Sequence, residues 1–102
     1  MAKIYSTDGK ILTGDNFPQI QIGDKLYLVD NRKSTYDKIQ DLYKKDPGND
    51  RGMFELALGK EMTKEVEKLN LSVESYKNLT YFISAAIQGI EYEEVMEQVR
   101  KN

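Results

Sequence analysis

The stretch SVESYKNLTYFISAAIQG, residues 72–89, is the most apolar segment of the chain and predicts its main helix. Ser72 can serve as the N-cap of this helix, and Gly89 can end it in a left-handed conformation. At about 100° per residue, one face of the helix is apolar and belongs in a core. That face holds Tyr76, Leu79, Ile83, Ala86, Ile87 and Ile90.

The same helix carries a second apolar stripe. Tyr81 and Ala85 fall opposite the main apolar face, and Phe82 lies on its flank. Either the neighbouring helix over residues 53–69 buries this stripe, or the stripe contacts a partner. Because Tyr is enriched in interface hot spots, Tyr81, Phe82 and Ala85 are the candidate partner-binding residues.

The composition predicts a single domain spanning residues 1–102. With 39% hydrophobic and 31% charged residues, a chain of 102 residues can bury a modest core under a polar surface. Asp occurs only in residues 1–50 and Glu only in residues 51–102. Asp favours turns and caps, whereas Glu favours helix interiors. We therefore expect a β-hairpin region over residues 1–30 and a helical region over residues 34–101.

Two hairpins are predicted in the first region. Asp8-Gly9 lies between the β-prone segments 3–5 and 11–13, which is a fair hairpin signal. The segment QIQIGDKLYLV, residues 19–29, is a clearer one, with Gly23-Asp24-Lys25 as the turn. One face of this hairpin is aliphatic and is expected to lie on the helices. Its residues are Ile20, Ile22, Leu26 and Leu28.

The second region predicts about four helices. Ser34-x-x-Asp37 resembles a capping box at the start of a helix that runs to about Lys45. Asp50 can cap a second helix that Gly59 weakens or interrupts before it ends near Asn70. The main helix follows, and the last helix runs from about Glu91 to Arg100. The predicted fold class is α+β, with one or two small N-terminal β-hairpins packed on a C-terminal bundle of about four α-helices.

The residue types argue against an enzyme and against a bound cofactor or metal. The chain has no Cys and no His, which removes thiol chemistry, the usual general base and the commonest metal ligand. The segment from Asp46 to Asp50 resembles the start of a calcium loop. It fails as one, because Arg51 stands where the loop needs Gly and Ala57 where it needs Glu.

Charge and hydropathy argue against two further classes of partner. A net charge of −2 shows none of the basic excess that nucleic-acid binding usually requires. No uninterrupted apolar run is long enough to span a bilayer, and the N-terminus lacks the apolar core of a signal peptide. The expected location is therefore the cytoplasm, with no membrane and no nucleic acid as partners.

Five segments, in this order and spacing, resemble one known family. They are Leu58–Glu61, Leu69–Ser72, Tyr76, Ile83–Ile87 and Tyr92–Val95. The pattern is similar to the tail assembly chaperones of long-tailed phages and prophages of Gram-positive bacteria, and it covers roughly residues 19–100. Residues 1–18 depart from the short lead-in of that family.

The resemblance implies a non-catalytic role in phage tail assembly. Such chaperones bind the long, helical tape measure protein and keep it soluble while tail tube subunits polymerise around it. They act in the host cytoplasm, are absent from the finished virion, and many also exist in a frameshifted longer form. Lining one long partner would require self-association or repeated weak binding. The alternative is a small prophage structural module, such as a tail-completion subunit, or a regulatory protein-binding module.

Overall fold

The computed structural model describes residues 17–101, which form one hairpin and five helices. The strands are β1 (Gln19–Ile22) and β2 (Lys25–Leu28). The helices are α1 (Lys33–Lys45), α2 (Asp50–Leu58), α3 (Lys60–Lys68), α4 (Val73–Gln88) and α5 (Tyr92–Lys101). The predicted α+β class, a small hairpin followed by packed helices, is confirmed. The hairpin predicted around Asp8-Gly9 lies outside the described residues.

Gly59 divides the second predicted helix into α2 and α3. Its backbone has φ 89° and ψ 159°, a conformation essentially restricted to glycine. The Gly59 N–H still donates to the Glu55 carbonyl, and the Gly59 carbonyl accepts from the Thr63 N–H at 3.1 Å and its hydroxyl at 2.8 Å. The chain thus changes direction with its hydrogen bonds intact, which gives five helices instead of about four.

The capping box predicted at Ser34 and Asp37 is wrong. Helix α1 begins at Lys33, so Ser34 already lies in its first turn, and the N-cap is Arg32 without a side-chain cap. Asp37 instead accepts a 2.8 Å hydrogen bond from Lys33 Nζ one turn earlier. The entry into α1 is held by Asp30, whose carboxylate accepts from the backbone N–H and the guanidinium of Arg32.

The caps of the other helices lie close to their predicted positions. Asn49, not Asp50, caps α2, because its Oδ1 accepts the N–H of Gly52 at 2.9 Å. Ser72 caps α4 as predicted, by accepting the N–H of Ser75 at 3.1 Å. Gly89 ends α4 in the left-handed conformation with φ 70°, as predicted.

The face of β2 that packs against the helices is the opposite of the predicted one. The turn has two residues, Gly23 and Asp24, so Ile20 pairs with Tyr27 and Gln21 pairs with Leu26. A three-residue turn would have placed Ile20 opposite Leu28. Because a one-residue change of register moves every side chain to the other face, Tyr27 and Val29 are buried, while Leu26 and Leu28 are more than half exposed.

The core lies between the inner face of the hairpin and α2, α3 and α4. Helix α2 is central, since it packs against α1, α3 and α4, while α4 also packs against α5 and β1. The least exposed side chains are Phe54, Ile83, Val29, Val66 and Thr63. The predicted inward face of α4 is confirmed for five of its six residues, because Leu79 and Ile83 are buried, and Tyr76, Ala86 and Ile87 pack against the core cluster. Ile90 lies beyond the end of α4 at Gln88 and is not part of that cluster.

Candidate protein-binding grooves

The three candidate partner-binding residues of α4 do not form one surface. Ala85 is buried, Tyr81 is half-buried, and Phe82 is 46% exposed. Tyr81 and Phe82 line two different grooves, since successive residues of a helix point about 100° apart. Ala85 lines neither of these grooves and serves packing within the fold.

The first groove, here named the helix groove, lies between α1, the N-terminal end of α2, α4 and α5. Its volume is about 480 Å³. Four residues of α4 form its floor, namely Thr80, Tyr81, Ser84 and Ile87. One wall is the face of α1 that carries Tyr36, Ile39, Gln40 and Tyr43, and the other is the face of α5 that carries Val95, Gln98 and Val99.

The helical spacing of these side chains gives the helix groove a long, mostly apolar surface. The α1 residues recur at i, i+3, i+4 and i+7, so they lie along one side of that helix. At the rim, Tyr36 is 38% exposed and Val99 is 43% exposed. On the floor, the small side chains of Thr80 and Ser84 leave room for close approach by another chain.

One end of the helix groove is polar. The Tyr43 hydroxyl donates to Asp50 Oδ1 at 3.0 Å, and Lys77 Nζ lies 3.5 Å from Asp50 Oδ2. Burial and the neighbouring Asp50 carboxylate raise the pKa of the Tyr43 phenol well above its usual range, so this hydroxyl stays a donor. The Lys77 side chain is half exposed and available at the groove mouth.

Tyr76 fixes α4 against α2 and α3 beside this polar end. Its ring packs on Phe54 with centroids 4.8 Å apart, and its hydroxyl donates to Glu67 at 3.0 Å. Burial and the hydrogen bond to Glu67 raise the pKa of Tyr76 to about 12. The floor of the helix groove is therefore anchored by core contacts on the far side of α4.

The second groove, here named the edge groove, lies between β1 and α4 and has a volume of about 580 Å³. Five consecutive residues, 19–23, line one side, and no residue of β2 does. The groove therefore follows the edge of β1 that faces away from β2. The opposite side is formed by Leu71, Ser75, Asn78, Leu79, Phe82 and Ala86.

Phe82 is held in place at the edge groove by α5. Its ring stacks on Tyr92 with centroids 4.4 Å apart and an angle of 20° between the planes. The Tyr92 hydroxyl in turn reaches Asn78 Oδ1 at 3.4 Å. A ring that is packed on one face and open on the other presents a preformed apolar surface.

Sequence reasoning missed most of the residues that surround Tyr81 and Phe82. Tyr36 and Val99 are exposed because they line the gap between α1 and α5, and the spacing of residues within one helix does not predict such a gap. The sequence did not predict a groove at the outer edge of β1. The packing of distant helices decides which edge of a hairpin lines a groove.

The described residues offer neither a cluster of metal ligands nor a membrane-spanning helix. Within residues 17–101, no three His, Cys, Asp or Glu side chains are grouped so that they could hold a metal ion. In the same range, no helix has the length and apolar character needed to cross a membrane.

Together, the fold and the grooves define a small α+β protein with two apolar surfaces on either side of one helix. No protein-family model matches this chain, and neither curated proteins nor solved structures match it.

Proposed function

We propose that this protein is a non-catalytic tail assembly chaperone of a long-tailed phage or prophage, and that it binds the tape measure protein in the helix groove. The observation that carries the proposal is the half-buried Tyr81 on the floor of a groove walled by two helices. The identity of the partner rests on the resemblance of residues 19–100 to that family.

The helix groove fits an amphipathic helix. Helices bind in such grooves by inserting an apolar stripe at i, i+3, i+4 and i+7 between two walls. Here the walls are α1 and α5, and the floor offers an aromatic ring, Tyr81, between the small residues Thr80 and Ser84. Aromatic residues at the centre of a groove are frequent hot spots, so Tyr81 is the proposed anchor.

The polar end makes the two ends of the helix groove chemically different. Lys77 and Asp50 form an ion pair at this end, and its lysine is the more exposed partner. A bound helix would leave the groove next to Lys77. A polar side chain or the carbonyl end of the guest helix can meet Lys77 there. Apolar contacts along the floor and a polar contact at one end together suit one orientation of the guest.

Such a chaperone works in the host cytoplasm and is left out of the finished virion. Several copies are expected on one tape measure protein, because a long helical partner offers the same kind of stripe repeatedly. Contact with the tail tube protein and association between copies are further features that this role includes.

Co-expression with the long helical protein of the same gene cluster tests the proposal. We expect this chain to keep that protein soluble and to co-purify with it in several copies, as measured by light scattering. Tyr81→Asp is expected to abolish the complex, because it places a charge on the apolar floor. Phe82→Asp is the matched control, since Phe82 lies one residue away but outside the helix groove.

Two outcomes would contradict the proposal. If Tyr81→Asp unfolds the isolated chain in a circular dichroism melt, Tyr81 is a core residue and not an anchor. If the chain is recovered in purified phage particles, it is a structural tail subunit, which is the alternative function.

A further inference from the structure

We propose that the edge groove is a second binding site, which takes an extended, uncharged peptide segment of a protein partner as an added strand beside β1. This site is separate from the helix groove and does not depend on the identity of the partner that the helix groove holds. Three observations carry it: the open backbone groups of β1, the position of the groove, and its lack of charge.

The register shows which backbone groups of β1 are open. The Val29 N–H donates to the Pro18 carbonyl at 2.9 Å, which places Pro18 and Val29 at a hydrogen-bonded position of the ladder, although proline has no N–H to donate in return. Hydrogen-bonded and non-bonded pairs alternate in an antiparallel ladder, which makes Ile20–Tyr27 a bonded pair and places Gln19 and Gln21 in non-bonded ones. The N–H and C=O groups of Gln19 and Gln21 therefore point away from β2.

These groups face the edge groove. All of residues 19–23 line it, and no strand among residues 17–101 pairs with this edge of β1. Opposite the edge stand Leu71, Leu79 and Phe82 of the helical side. An added strand would hydrogen-bond to Gln19 and Gln21 and would turn every second side chain towards these apolar residues.

The chemistry of the groove selects the occupant. Charged residues make up 31% of the chain, yet none of the described residues that line this groove is Asp, Glu, Lys or Arg. A charged side chain facing Leu79 and Phe82 would lose its hydration without gaining a partner. The groove therefore favours a segment with apolar side chains facing inward and uncharged polar side chains facing outward.

Binding is expected to stabilise the hairpin. A two-stranded sheet is marginal by itself, and a third strand satisfies open backbone groups of β1. The stacked Phe82 and Tyr92 rings need no rearrangement to receive the segment, which keeps the entropy cost of binding low.

The probe is a short capped peptide of alternating valine and threonine, added to the full chain and followed by NMR. We expect shifts of the backbone amides of residues 19–23 and slower hydrogen exchange at Gln19 and Gln21. The same peptide with alternate N-methyl groups, which lacks the donors of one edge, is expected not to bind. A peptide with lysine in place of valine is expected not to bind either.

Variants of the protein separate this site from the helix groove. Phe82→Asp is expected to weaken peptide binding by about tenfold or more, whereas Tyr81→Asp is expected to leave it unchanged. This is the reverse of their expected effects on the tape measure complex, so failure of one proposal is distinguishable from failure of the other.

A pair of proline variants tests the edge itself. Gln21→Pro removes an open N–H of β1, and Leu26→Pro removes the equivalent N–H at the outer edge of β2. Only Gln21→Pro should abolish peptide binding. If both proline variants unfold the hairpin, the effect of Phe82→Asp on peptide binding tests the proposal instead. Equal binding of the N-methylated peptide, or full exchange protection of Gln19 and Gln21 before peptide is added, would overturn the proposal.

Discussion

Ile20 stands directly opposite Tyr27 in the hairpin, and both side chains are buried against the helices. This pairing decides which face of β2 belongs to the core. It places Val29 inside with no measurable exposure and leaves Leu28, its neighbour, 54% exposed.

The first prediction compares Val29→Thr with Leu28→Thr. Threonine has nearly the shape of valine, so Val29→Thr mainly buries a hydroxyl and should cost about 1–3 kcal/mol of the free energy of unfolding. Leu28→Thr, on the exposed face, should change it by less than about 0.5 kcal/mol. Urea denaturation measures both. The opposite ranking would mean that the hairpin has the register of a three-residue turn.

The second prediction compares asparagine at two glycines. Gly59 has φ 89° and ψ 159°, which non-glycine residues avoid, whereas Gly89 has φ 70° and ψ 34°, which asparagine tolerates. Gly59→Asn should therefore destabilise the protein by about 1–3 kcal/mol. Gly89→Asn should cost less than about 1 kcal/mol. Thermal melts of the two variants distinguish them; equal losses would show that α2 and α3 do not meet in the described geometry.

The third prediction concerns acid stability. The hydrogen bonds and charge of Arg32 lower the pKa of Asp30 from 3.8 to about 2. Because the folded-state pKa lies below the unfolded one, this stabilisation is present above pH 3.8 and is lost as pH falls through about 2. Arg32 is 62% exposed, so solvent screening limits the contribution of Asp30 to about 1 kcal/mol.

Asp30→Asn should accordingly lower the free energy of unfolding at neutral pH and have little effect near pH 2. Asp37→Asn is the control, because Asp37 belongs to an exposed pair on the surface of α1. Urea denaturation across this pH range measures the difference. A loss for Asp30→Asn that is the same at both ends of the range would argue against the ionised pair as its cause.

The fourth prediction concerns alkaline stability. Burial and Glu67 raise the pKa of Tyr76 from 10.0 to about 12, so the folded protein keeps a proton that the unfolded chain loses. The free energy of unfolding should therefore fall as pH rises from 10 towards 12. Tyr76→Phe removes this part of the fall, together with a hydrogen bond worth roughly 1 kcal/mol.

The destabilisation by Tyr76→Phe should thus shrink as the pH rises. Tyr36→Phe is the control, because its ring lies at the exposed rim of the helix groove. Denaturation curves recorded against pH, with tyrosinate absorbance as the titration signal, give both quantities. A pH-independent difference would mean that Tyr76 ionises alike in both states.

The sequence predicted what local interactions decide. Ser72, Gly89 and the apolar face of α4 act within a few residues of one helix, and the structure has them as expected. The sequence predicts that Gly59 weakens or interrupts one helix, and in the structure it separates two helices, α2 and α3. Whether a glycine bends a helix or separates two helices depends on the packing on either side of it.

Two predictions were wrong where a shift of one residue changes the local structure. The capping box at Ser34 failed because Asp30, four residues earlier, binds Arg32 and sets the start of α1. The inward face of β2 was inverted because a two-residue turn replaced a three-residue one. Turns of two and three residues differ little in free energy, and so do neighbouring cap positions. Residue types alone therefore do not predict which turn or which cap forms.

By itself, the sequence determined the α+β class, the positions of most helices and the surplus of apolar residues on α4. Only the tertiary structure decided how that surplus is used. It buries Ala85, turns Tyr81 into the helix groove and turns Phe82 into the edge groove. The reason is physical: helix propensity and periodicity act between near neighbours, whereas a groove exists only where elements distant in the chain pack and leave space between them.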